Sequence, residues 1–275
     1  MKTKILITLA FVAISFVVFT GFNNDQIKGS ASDYSYIPQG NCTINDSAVS
    51  FDSFWISQFE VTNSSYDLFL SDLKQQGKES DLKIASIQNE NWKLLSDGES
   101  YSTFYSSHKS YAGYPVVNVT YEGALLYCKW LTSKLEDKNW EYRLPTKKEW
   151  IYAAKGGLEK AEYSWGGLYL RGSKGQFLGN FLNVGEENIH HGVNGFEIVN
   201  SHKYSGQINT SKSYNPNGWG LYNMCGNVAE MTKVKSLALG GSWNDSGYDI
   251  RITSEKIYTA PSPMIGFRPV LVRKE

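Results

Sequence analysis

Apolar and polar positions divide the chain into a periodic first half and an aperiodic second half. After Thr62, the residues Tyr66, Phe69, Leu70 and Leu73 recur at i, i+3, i+4 and i+7, the spacing of one helix face. Thr62 or Asn63 is the expected cap, because a short oxygen-bearing side chain accepts an orphan amide. Gly77 is the expected stop, since glycine tolerates a left-handed terminus. A second helix is predicted after YPVVNVT, capped by Thr120, with Ala124, Tyr127, Cys128, Leu131 and Leu135 facing inward. The third lies in RLPTKKEWIYAAKGG. There Thr146 and Glu149 have capping-box spacing, in which hydroxyl and carboxylate each serve the other's amide.

Upstream, YSYIPQGNCTI and SFDSFWISQFEVT read as strands on either side of turn residues, with Phe54, Ile56 and Val61 as strand positions. The stretch from Ile84 to Ser110 has no clear period and is rich in Ser, Asn and Tyr, so it reads as an insertion running over the surface. From Gly156 onward no long helix is expected, only short strands between glycines, asparagines and aromatics. The layout implied is a helix-bearing first half and an irregular, short-stranded second half.

The first 22 residues, MKTKILITLAFVAISFVVFTGF, place two lysines before an uncharged run from Ile5 to Phe22. That is the pattern of a cleaved signal peptide, with a retained membrane anchor as the alternative. Residues 23–35 read as a linker, and 36–275 as one large domain. The domain is expected outside the cytoplasm: periplasmic, at the cell surface or secreted. Lys plus Arg equals Asp plus Glu at 27 each, so no basic field exists to attract nucleic acid. The membrane is met only through the N-terminal segment, if that is uncleaved.

Cysteine numbers 42, 128 and 225 are the only ones. Cys128 falls on the second helix's inward stripe and reads as a small buried hydrophobe. Cys42 with Cys225 is the one pairing worth considering as a disulfide. The adjacent pair His190-His191 lacks a recognisable third ligand. Arg143 and Arg268 read as structural, each pairing with a carboxylate.

The segments FWISQFEVTNSSYDLFL, YPVVNVTYEGALLYCKWL, YRLPTKKEWIYAA, NGWGLYNMCGNVAEM, LGGSW and IGFRPV occur in that order. Together they resemble the formylglycine-generating, or sulfatase-modifying factor, family, from about Tyr36 to Val272. The resemblance implies an irregular α+β fold related to the C-type lectin fold. Active members oxidise a cysteine of a sulfatase motif, using oxygen and a copper ion held by two cysteines. The matching positions here are Asp245 and Ile250. Copper(I) prefers soft thiolates; a carboxylate favours hard ions, and isoleucine binds none. Copper is therefore not expected, and no catalytic residue is assigned.

What the resemblance leaves is a pocket of changed character, walled by Ser242, Trp243, Asn244, Asp245, Tyr248, Asp249 and Arg251. It also implies a structural calcium ion. Asn223 and Glu230 would give side-chain oxygens, and Gly226 and Val228 main-chain carbonyls, which suits a hard cation. The family's other calcium site is matched by Asn180 and Phe181 alone, with His202-Lys203 where an acid is expected.

The function expected is a non-catalytic binding or assembly protein whose partner is a protein or small ligand of the cell envelope. The alternatives are an oxidoreductase or maturation enzyme of this family with an atypical site, and a diversified ligand-binding protein on the lectin-like fold.

Overall fold

A computed structural model of the chain describes residues 33–95, 99–182, 189–192, 195–198 and 207–274. The segment predicted as signal or anchor, 1–22, lies outside them. Among the described residues no helix is long and apolar enough to cross a membrane.

The first sheet is built from both ends of the chain. Strands β1 (Tyr34–Ile37), β4 (Phe54–Ser57), β12 (Val270–Arg273) and β5 (Trp140–Arg143) lie side by side in the order β1-β4-β12-β5, all antiparallel. Ile37, Phe54, Ile56, Val270 and Leu271 are buried. β1 begins inside the predicted linker, and the Asp33 carbonyl accepts from Gln58 N at 2.8 Å. Between β1 and β4, β2 (Gly40–Ile44) and β3 (Ser47–Phe51) form a hairpin. Its turn residues Asn45 and Asp46 take positive φ, as a tight primed turn requires.

The three predicted helices are present. α1 (Asn63–Gln75) is capped by Thr62, whose hydroxyl accepts from Ser65 N. Between α1 and the next predicted helix come α2 (Glu79–Ala85), a 3-10 turn at Asn89–Leu94, α3 (Glu99–Phe104) and a second 3-10 turn at Lys109–Tyr111. This corrects the expectation of a surface insertion. Trp92 and Tyr105 are each 1% exposed, so two large rings anchor the segment and fold it into short helices despite its lack of period. α4 (Tyr121–Ser133) is capped by Thr120, and α5 (Lys147–Lys155) carries the full capping box of Thr146 and Glu149. Arg143 holds Glu149 through two bonds of 2.9 and 2.8 Å, the carboxylate pairing expected for that arginine.

Beyond α5 there is no helix among the described residues. β6 (Ile189–Gly192) and β7 (Gly195–Ile198) form a hairpin. A second four-stranded sheet runs in the order β10 (Glu255–Ile257), β9 (Leu237–Leu239), β8 (Ala229–Met231), β11 (Ile265–Gly266). β8 and β11 run parallel, whereas the other neighbours are antiparallel. These strands are only two or three residues long, so the loops between them do most of the shaping.

Candidate functional site

Two loops leave this second sheet, and both are set by left-handed backbone. After β9, Gly240 and Gly241 have φ of +86° and +62°. A Cβ at Gly240 would stand 2.7 Å from the Met224 carbonyl oxygen, and one at Gly241 2.6 Å from the Asp249 carbonyl oxygen. Only glycine fits both the conformation and the space.

The turn they make delivers Ser242 onto Asp245. The Ser242 hydroxyl donates to Asp245 Oδ2 at 2.6 Å, and the Ser242 amide donates to the same oxygen at 2.8 Å. Lys256, carried on β10 beside β9, donates through Nζ to both oxygens of Asp245 at 2.5 and 2.6 Å. Asp245, the position that the resemblance matches to the first copper cysteine, is therefore half of an ion pair. Ile250, matched by the resemblance to the second, is fully buried and belongs to the apolar core.

The seven residues predicted to wall the pocket do not share one surface. Ser242 and Trp243 are buried. The Trp243 indole N–H donates to the Pro263 carbonyl, and its ring stacks 6.5 Å from Trp92. These two residues support the loop from behind. Asn244 and Asp245 are half-buried, and the Asn244 amide rests against the Met264 sulfur. Tyr248 and Asp249 face solvent. The Arg251 guanidinium lies 3.5 Å from the Tyr248 ring centre, and Arg251 also approaches Glu162 at 3.7 Å.

The three thiols are free and buried. The Cys42–Cys225 disulfide considered from sequence is not formed. Cys42 and Cys225 sit in one core cluster and Cys128 in another. Burial pushes the Cys128 and Cys225 thiols up to about 12, so both stay protonated and are poor nucleophiles and metal ligands. Among the described residues no group of three or more His, Cys, Asp and Glu side chains could hold a metal ion.

The second loop runs from Asn223 to Glu230. Asn223, Gly226 and Asn227 all have positive φ. At Gly226 an added Cβ would lie 2.2 Å from the Asn180 carbonyl oxygen. Glu230 is fully buried. Arg268 donates to its two oxygens at 2.6 Å each, and the Trp150 indole donates at 2.7 Å. This is the carboxylate pairing expected of Arg268.

Sequence reasoning passed over Glu60, which is 1% exposed. Its carboxylate accepts from the side-chain amides of Asn227 at 2.8 Å and Asn223 at 3.2 Å. Burial, with the Glu230 charge adding to it, raises its pKa to about 8 against the lowering influence of Arg268 and the two amides. A signal was present: Glu60 stands between Phe59 and Val61 in an apolar run.

Of the four residues proposed for calcium, Asn223, Gly226 and Val228 offer hard oxygens from one short loop, whereas both carboxylate oxygens of Glu230 already accept from Arg268 and Trp150. Of two buried carboxylates, Glu60 and Glu230, Arg268 pairs with Glu230 and acts on Glu60 only through its field, which leaves the cluster one positive charge short when both are ionised. Beside Asn223, the buried Ser211 hydroxyl lacks a hydrogen-bond partner. Asn180, a residue of the other family calcium site, spends its amide on Gln207 and Asn227. His202 and Lys203 lie outside the described residues.

The Gly-Gly-Ser-Trp turn, the buried Glu230–Arg268 pair and the two-sheet frame define a sulfatase-modifying-factor scaffold. The family model described as "Sulfatase-modifying factor enzyme 1-like domain" matches residues 20–273, and the chain belongs to that family. The formylglycine-generating enzyme of Streptomyces coelicolor is 36% identical over 119 residues, covering 42% of this chain and 31% of the relative. The "Inactive C-alpha-formylglycine-generating enzyme 2" of Bos taurus is 29% identical over 170 residues, 56% of this chain and 49% of the relative. The match thus spans 31% and 49% of these two relatives' lengths. Among solved structures, CarF superposes with a TM-score of 0.60 at 21% identity, covering 88% of this chain and 98% of CarF. That likeness bears out the irregular α+β fold.

Proposed function

We propose that this chain is an exported binding or assembly protein, built on the sulfatase-modifying-factor scaffold without its copper chemistry. The observation that carries the reading is the contact of Asp245 with Lys256. Where active relatives need a thiolate for Cu(I), this chain has a carboxylate whose charge is already balanced, and Ile250 closes the second position with hydrocarbon. Neither group is a soft ligand. The bovine relative described as inactive shows that the scaffold is used without formylglycine generation elsewhere in the family.

On this reading the exposed end of the 240–251 loop, with Tyr248, Asp249 and the stacked Arg251, meets an envelope protein or small ligand. Calcium belongs to the same proposal as a structural ion. Asn223, Gly226 and Val228 would hold it, with Glu230 joining only by giving up a bond to Arg268, and the charge of the ion would offset that of Glu60.

The deciding experiment incubates pure protein with copper, oxygen and a cysteine-containing sulfatase peptide, beside affinity capture from envelope extracts. The expected result is no peptide oxidation, with a captured partner that is lost on replacing Tyr248 and Arg251 by alanine. Turnover of the peptide would overturn the non-catalytic reading.

A further inference from the structure

We draw no further inference here: the strongest candidate, the exposed apolar patch of Leu158, Leu168, Tyr169 and Tyr248 where segment 158–170 meets the 240–251 loop, carries nothing because nothing in the structure shows what covers it.

Discussion

Lys256 Nζ sits 2.5 and 2.6 Å from the two carboxylate oxygens of Asp245, and the Ser242 hydroxyl sits 2.6 Å from one of them. The contact closes the turn that Gly240 and Gly241 open. Both side chains are about one-fifth to one-quarter exposed, at 18% and 26%, so solvent screens the pair only in part. Asp245→Asn removes the charge while keeping the size and one acceptor oxygen. Chemical denaturation is expected to show a loss of about 1 kcal/mol. A Cu(I) titration is expected to remain as flat as in the parent protein. A gain in copper affinity on this substitution would mean that the pair hides a functional metal position.

Arg268 and Glu230 behave differently, because neither is open to water, at 0% and 1% exposure. Removing one partner strands the other charge in the core. Arg268→Met is expected to cost about 3–5 kcal/mol. Adding Glu230→Gln neutralises the stranded group and keeps an acceptor for the Trp150 indole, so the double variant regains a measurable part of that loss. Denaturant midpoints of the two single variants and the double variant form the check. Additive losses would mean that the two residues are not coupled.

The helices were legible because local chemistry alone decides them. Thr62, Thr120 and Thr146 each accept the amide expected of a cap, and the apolar stripes behind them face the core. The short helices around Trp92 and Tyr105 were not legible. Two buried rings, rather than a repeating face, hold them. The second sheet was equally hidden, since strands of two or three residues are too short to show alternation. At the site, Asp245 and Ile250 could be placed through the motif around them. Lys256 could not: it reaches Asp245 from 11 residues away on a separate strand. Nor could sequence say that Ser242 and Trp243 would turn inward while Tyr248 turned out.

Asn223 gives a test of calcium that leaves the backbone intact. Its φ is +54°, a conformation glycine adopts without strain. Asn223→Gly therefore keeps the turn and deletes the side-chain oxygen. After treatment with chelator, the parent protein is expected to gain Tm on adding calcium, as any ligand of the folded state alone produces. Asn223→Gly is expected to fold but lose most of that gain. Equal gains in both proteins would place calcium elsewhere, and no gain in the parent would remove it from the proposal.

Glu60 ties the preceding loop to the pH of the surroundings. Its carboxylate faces Asn223 and Asn227 directly, with Arg268, Glu230 and Tyr105 as the ionisable groups that interact with it. Burial is the largest influence and raises its pKa from 4.5 to about 8. The folded protein thus keeps a proton that the unfolded chain releases. Where the folded state binds more protons, stability falls as pH rises. In chelator, the contribution of Glu60 is fully present below about pH 4.5, declines through neutrality and levels off above about pH 8. Glu60→Gln removes the titration. Its unfolding free energy is expected to change less than that of the parent between pH 5 and 8, as read from urea midpoints at each pH. Calcium is expected to flatten the parent's curve in the same direction, because a cation beside the cluster favours the ionised carboxylate. Parallel pH curves for the parent and Glu60→Gln would mean that Glu60 is ionised across the whole range and that Arg268 serves both carboxylates.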